Sequence, residues 1–263
     1  MCAAQMPPPA LPTDTGGYAG ELPQFDVISV KPHKPGDNMV RVQWGDTDYH
    51  ATNMTLKIMI SNVYGVKSWL VFGLPSWAES AHWDIDAKVS APDMTVMKKL
   101  TAEQRRVMIG SILKERFGLV VHQESKVQPM FVMTVMPGGP KFKESAAPPP
   151  TPEGEKPKPH GGWRMGPGTL SAKEMSMQSL ADSISYQVER TVIDNTGLTG
   201  KYDMEMKWTP EERATATTDN GVDGDAPPAI FEAVKEQLGL KLSADKAPVP
   251  TVVVDKIEQP EAN

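Results

Sequence analysis

The sequence predicts an α+β fold made of two homologous halves, each a strand–helix–strand unit followed by a helix and a two-stranded hairpin. The helices are expected to pack on antiparallel or mixed sheets. Three observations predict this fold: an internal repeat, helical stripes that end at glycines, and short alternating strands. The repeat aligns IGSILKERFGL, from Ile109, with IFEAVKEQLGL, from Ile230, at an offset of 121 positions (230 − 109). It keeps apolar faces but few polar side chains, which indicates a repeated fold rather than a repeated reaction centre.

The first half opens with a strand and a strongly amphipathic helix. Phe25–Val30 alternates in polarity and predicts a strand. Asn53 is the predicted N-cap of the helix, and Gly65 is its predicted end. Trp83–Val89 is a second alternating strand. The helix carries apolar residues at helical spacing, namely Leu56, Met59, Ile60, Val63 and Tyr64.

A second helix and two strands complete the first half. Thr101 and Gln104 have the spacing of a capping box, so a helix is predicted from there to about Phe117. Two separate strands are predicted after it, at 119–124 and 130–136.

The second half repeats this order. It predicts a helix at 175–188, a strand at 202–208, a helix at 228–238 and a closing hairpin of 240–242 with 251–257. The helix faces and the strands after them predict a set of buried side chains: Leu56, Met59, Leu113, Leu119, Leu180, Ile184, Val234 and Leu240.

Composition sets the predicted domain boundaries. The 263 residues are 39% hydrophobic and include 25 prolines, nearly twice the usual proline share of about 5%. We therefore expect a disordered leader at 1–23, a first α+β half at 24–144, a proline- and glycine-rich linker at 145–168 and a second α+β half at 169–263.

Several partner and cofactor classes are excluded by composition. The net charge of −6 argues against a nucleic-acid partner, because phosphate binding needs a basic face. No apolar run reaches the length of about 18 residues that a membrane span needs, so no transmembrane segment is predicted in this chain. A single cysteine and five scattered histidines provide no zinc-site spacing. The sequence predicts no metal and no cofactor.

Two polar motifs resemble catalytic or metal-binding elements without matching them. Asp194-Asn195-Thr196-Gly197 resembles the Asp-Thr-Gly triplet of aspartic proteases, but an asparagine interrupts it and no second copy exists. A turn is the preferred interpretation, with positive φ at Gly197 and Gly200. The acidic cluster at 219–225 fails the spacing of a calcium loop and is interpreted as a solvated connector. No nucleophile, Walker or zinc-protease motif is present, so no catalytic residue is predicted.

One aromatic segment distinguishes the first half from the second. It contains Trp69, Phe72, Pro75 and Trp77, and the matching crossover of the second half has no tryptophan. Because partner surfaces favour aromatic residues, these four residues are a candidate partner-binding surface. Local packing under a long loop is the alternative.

The chain also resembles a known family. The segments FDVISVKP, NMTLKIMI, GLPSW, WDIDAK, LKERFGLVVH, VIDNTGLTGKYDMEMKWTP and EQLGLKL resemble the uncharacterised acidobacterial "soil-associated protein" family from Phe25 to Asn263. The resemblance implies an export signal, of which Met1–Gln5 would be the remains. Cys2 is then either a lipoprotein cysteine or part of that remnant; an ordinary start is the alternative. Some members look fused behind a membrane metallopeptidase of the beta-lactam sensor type.

The sequence therefore favours an exported, extracytoplasmic, non-enzymatic binding or interaction protein whose partner is an envelope protein or peptide. Sheet edges that accept an additional strand are a common way to hold peptides. Two alternatives stay open. One is a hydrolase-like enzyme with a site in the cleft between the halves, and the other is an extracytoplasmic small-molecule sensor with an enclosed pocket.

Overall fold

The described chain divides into two units, and two long strands run from one into the other. A computed structural model describes residues 22–36, 39–146, 161–210 and 229–260. Of the described residues, those up to 127 and those from 248 onward form one unit, and those between 128 and 247 form the other. The predicted halves at 24–144 and 169–263 stay a prediction; residues 128–144 lie in the second unit and residues 248–260 in the first. The predicted α+β class is confirmed.

The first unit is built on a four-stranded antiparallel sheet with the order β1-β5-β3-β2. Its strands are β1 Val27–Pro32, β2 Arg41–Trp44, β3 Asp48–Thr55 and β5 His82–Lys88. Its helices are α1 Leu56–Tyr64, α2 Ser76–Ser80, α3 Met94–Met97 and α4 Ala102–Phe117, with a 3₁₀ turn at Ser68–Leu70.

The second unit is built on a sheet with the order β7-β11-β9-β8, again antiparallel. Its strands are β7 Lys143–Glu144, β8 Gly162–Gly166, β9 Thr169–Met175 and β11 Tyr202–Lys207. Its helices are α5 Met177–Val188 and α6 Ile230–Leu238. Strand β8 lies inside the predicted linker 145–168, because Trp163 and Met165 are alternating apolar positions within a glycine-rich sequence.

Two long strands pass from one unit into the other. They are β6, Val120–Val135, and β12, Leu240–Lys256, neighbours in the order β10-β6-β12-β4. In the first unit, β4 (Val71–Phe72) pairs in parallel with β12. In the second unit, β10 (Val192–Asp194) pairs in parallel with β6.

The predicted pairs of separate strands were wrong, since β6 and β12 are each continuous. Pro129 and Pro250 lie inside these strands. Each proline comes just before the residues that pair with a short outer strand, at Phe131 in β6 and at Val252 in β12. Proline has no N–H to donate, but neither the pairing of β6 with β10 nor that of β12 with β4 loses a hydrogen bond for this reason.

The helix ends follow the predicted signals with one correction. Thr101 and Gln104 form the predicted capping box of α4, and Gly65 ends α1 in the left-handed conformation with φ 65°. The predicted N-cap Asn53 was wrong. Thr55 is the N-cap of α1, and its hydroxyl accepts from the Ile58 N–H at 3.3 Å.

The two units share their topology and their irregularities. The sheets have the same strand order, and β3 and β9 each pass directly into a helix. Asn53 in β3 and Glu174 in β9 lie 121 positions apart (174 − 53), and both have a positive φ, at 57° and 55°. These likenesses support an internal duplication, which stays a prediction.

Each unit has its own hydrophobic core. All the side chains predicted to be inward are buried, which confirms the helix-face assignments: Leu56, Met59, Leu113, Leu119, Leu180, Ile184, Val234 and Leu240. The leader and most of the predicted linker lie outside the described residues.

We expect truncation in either core to be strongly destabilising. Leu113→Ala in the first unit and Leu180→Ala in the second should each lower the free energy of unfolding by about 2–5 kcal/mol, because each leaves a cavity. Urea denaturation followed by circular dichroism measures this. Val120→Ala and Tyr186→Ala change exposed side chains and should stay within about 0.5 kcal/mol. Equal effects in core and control variants would contradict the assignments.

Candidate functional site

The edge strand β2 presents apolar side chains to solvent. Val42 pairs with Ala51 in the neighbouring strand, and Ala51 is buried, so Val42 lies on the core side of the sheet. Val40 precedes it by two residues and extends the same row. The exposed fractions are 45% for Val40 and 47% for Val42. We call these two valines the β2 ledge.

The end of β2 next to the following hairpin is held by ring contacts. The Trp44 ring lies 5.1 Å from the Tyr49 ring, and the Arg105 guanidinium lies 5.2 Å from the Trp44 centroid. A tight hairpin follows, in which the Gly45 N–H donates to the Asp48 carbonyl at 3.0 Å. The strand is therefore held in register at one end and offers an apolar row at the other.

The solvent side of the same sheet carries paired histidines and aspartates. His33 Nδ1 lies 2.7 Å from Asp84 Oδ1, and His50 Nδ1 lies 2.6 Å from Asp86 Oδ1. We call these four residues the His–Asp face. An aspartate can orient an imidazole for proton transfer, so the pairs are chemically able to act as general bases. Within the described residues, no group of three or more ligating side chains could hold a metal ion.

The second unit shows which part of this face is structural. Asp84 Oδ1 accepts from the N–H of Asn53 at 3.0 Å, and Asp203 Oδ1 accepts from the N–H of Glu174 at the same distance. Where Asp84 meets His33, Asp203 meets the Ser145 hydroxyl. Each aspartate thus holds a residue of the neighbouring strand that has a positive φ. In the part of the chain that the structure describes, the imidazole of His33 has no counterpart beside Asp203.

The predicted aromatic residues are distributed over three elements. Trp69 lies in the 3₁₀ turn, Phe72 in β4, Pro75 directly before α2, and Trp77 in α2, where it packs against the first core. All four are half-buried. The Lys126 ammonium lies 4.6 Å from the Phe72 centroid, a cation–π contact. A partner-binding role for these residues stays a prediction.

The interrupted aspartic-protease triplet is a turn. Asp194 Oδ1 accepts from the N–H of Thr196 at 2.9 Å and from its hydroxyl at 2.7 Å. Gly197 has the expected positive φ of 71°, whereas Gly200 does not, so that part of the prediction was wrong. The acidic cluster at 219–225 lies outside the described residues.

The ledge was missed at the level of sequence although its signal is present. Val40-Arg41-Val42-Gln43-Trp44 alternates with period two and is closed by Gly45, which is typical of a strand. Alternation alone does not reveal that the strand lies at a sheet edge. That property depends on the order in which the strands assemble.

Comparison with known proteins identifies the family. An α+β chain with three mostly antiparallel sheets defines only a broad structural class. The family model described as "Protein of unknown function (DUF3738)" matches residues 57–257, and the chain belongs to this family. No curated protein and no solved structure matches. In the described part of the chain, no helix has the length and apolar character needed to cross a membrane.

The aromatic hypothesis can be tested at Trp69. We expect Trp69→Ala to weaken binding of a partner from envelope extract, because truncation removes a large contact surface. It should lower the melting temperature less than Trp83→Ala, since Trp83 is buried in the first core. Pull-down yield and thermal unfolding measure the two effects. Unchanged partner binding by Trp69→Ala would exclude the site.

We also expect the structural aspartate to create an acid dependence in the second unit. The Ser145 hydroxyl, and then the Glu174 N–H, lower the pKa of Asp203 below its ordinary 3.8. A lowered pKa stabilises the fold at higher pH, and this stabilisation is lost as pH falls through the folded-state pKa. Carboxyl titration by NMR measures the pKa. Asp203→Asn should remove the corresponding acid dependence of unfolding, whereas Glu205→Gln should retain it.

An Asp203 carboxyl that titrates above 3.8 would contradict this assignment. So would an Asp203→Asn variant whose stability falls with acid as steeply as that of the wild type.

Proposed function

We propose that this protein is a non-enzymatic binding protein that accepts an extended peptide segment as an additional strand beside β2. The observation that carries the proposal is the β2 ledge, a row of exposed aliphatic side chains on an edge strand. Natural edge strands usually carry charged residues, proline or a bulge that prevent pairing, and β2 has one such residue, Arg41. An edge that keeps valines exposed is suited to strand addition.

The alternation of β2 defines how a peptide would bind. Backbone hydrogen bonds to β2 would set its register, and every second side chain would lie beside the β2 ledge on the core side of the sheet. Burying a valine such as Val42 is worth roughly 1.5–3 kcal/mol. Affinity would therefore come from the backbone and the ledge together.

The enzyme alternative is favoured by the His–Asp face, in which His33 pairs with Asp84 and His50 with Asp86. The second unit weakens it, because Asp203 forms the equivalent backbone bond without an imidazole beside it. The Asp84 carboxylate is therefore explained by its hydrogen bond to the backbone of the neighbouring strand. For this reason we prefer a binding function over hydrolysis. A small-molecule sensor would need an enclosed pocket, and it has less support than the exposed ledge provides for peptide binding.

We place the protein outside the cytoplasm, with an envelope protein or peptide as its partner. The support is the sequence resemblance to the soil-associated family, which implies an export signal. In this proposal Cys2 is a candidate lipid-attachment site, and the shared topology of the two units reflects an internal duplication.

The experiment compares two edge valines of one sheet. Val42→Lys places a charge on the ledge, and we expect it to abolish capture of envelope peptides without lowering the melting temperature, because the side chain is exposed. The control is Val27→Lys on β1, the opposite edge strand, where Val27 is 54% exposed. Pull-down with mass spectrometry measures capture. Photocrosslinking from p-benzoylphenylalanine at Gln43 should label the same peptides.

Two results would contradict the proposal. One is full capture by Val42→Lys, and the other is equal loss of capture in Val42→Lys and Val27→Lys. The first would show that the ledge is not used, and the second would show that charge at any edge of this sheet has the same effect.

A further inference from the structure

The second unit has an edge strand that matches β2. Strand β8 is the last strand in the order β7-β11-β9-β8. Trp163 pairs with Ala172, which is buried, so Trp163 lies on the core side of its sheet. It is nevertheless 55% exposed. Trp163 stands 121 positions after Val42 (163 − 42), so an exposed apolar side chain recurs at the matched position of each edge strand.

The solvent side of this edge carries two cations, Arg164 and Lys173, and Glu205 lies one strand further in, in the row of Arg164. Arg164 pairs with Ser171 and therefore points away from the core, and it is exposed. Among the residues that the structure describes, Arg164 forms no salt bridge. Lys173 lies on the same side, opposite Gly162. A strand added beside β8 would thus meet an aromatic ring on one side and positive charge on the other.

We propose that β8 is a second peptide-accepting edge, and that its ligand is an extended peptide that alternates acidic and aliphatic residues. The aliphatic side chains pack beside Trp163, and the acidic side chains lie across from Arg164 and near Lys173. Opposite charges on adjacent strands attract, and like charges repel, so the edge discriminates by charge. This inference rests on the proposed function, strand addition at a sheet edge, and it adds a site and a ligand class to it.

The probe is a fluorescein-labelled seven-residue peptide of alternating valine and glutamate. A peptide of alternating valine and lysine is the charge-reversed control. Binding is measured by fluorescence anisotropy to the full-length protein carrying Val42→Lys, in which the β2 ledge is blocked, and added changes at Trp163 and Arg164 show whether the remaining binding occurs at β8. The wild type is measured in parallel, so failure at β2 and failure at β8 are seen separately.

We expect the valine–glutamate peptide to bind the Val42→Lys protein. Adding Arg164→Glu should weaken it by about tenfold, since attraction becomes repulsion, and should strengthen binding of the valine–lysine peptide. Trp163→Ala should weaken both peptides. Trp163 and Arg164 are exposed, so both variants are expected to fold, which circular dichroism verifies.

Three outcomes would overturn the inference. The first is no binding to the Val42→Lys protein when the wild type binds, which would leave β2 as the acceptor. The second is equal affinity of Arg164→Glu for both peptides. The third is concentration-dependent dimerisation, seen by sedimentation, that Trp163→Ala removes and the peptide does not compete with. In that case a second copy of the chain occupies β8.

Discussion

Both units depend on a single backbone irregularity where a strand turns into a helix. Asn53 and Glu174 adopt the left-handed conformation, which costs a residue other than glycine roughly 1–3 kcal/mol. In each unit an aspartate of the adjacent strand, Asp84 or Asp203, accepts the backbone N–H of that residue. The helix N-cap follows two residues later, at Thr55 in the first unit. The carboxylate therefore holds the bend that directs the helix onto the core.

This arrangement explains why function is expected at the edges rather than on the faces. One face of each sheet is occupied by the helices that the bend directs onto it. The opposite face is polar, and its aspartates already serve the backbone. On β2 and β8, one edge strand of each sheet, Val42 and Trp163 stay exposed on the core side. An additional strand beside β2 or β8 would cover these exposed apolar side chains.

The sequence predicted the helices and their faces because these depend on neighbours in the chain. Apolar residues at helical spacing predicted that Met59 and Ile184 would be buried, and both are buried. The capping box at Thr101 formed as its spacing indicated. The failures were also local in origin. Separate strands at 119–124 and 130–136 were predicted, but β6 is continuous, because its pairing partners come from distant segments. Asn53 was interpreted as a cap because asparagine favours that position, yet it is the left-handed residue of β3 and Thr55 is the cap.

The amino-acid sequence by itself determined the α+β class, the positions of the main helices and the identity of the core residues, since each follows from the periodicity of apolar side chains. Only the tertiary structure decided which strands lie at the edges, where the long strands β6 and β12 pair, and that His33 meets Asp84 across 51 positions of sequence. Those relations are set by pairing between distant segments. Two strands with the same alternation are indistinguishable until the sheet order places one in the middle and the other at the edge.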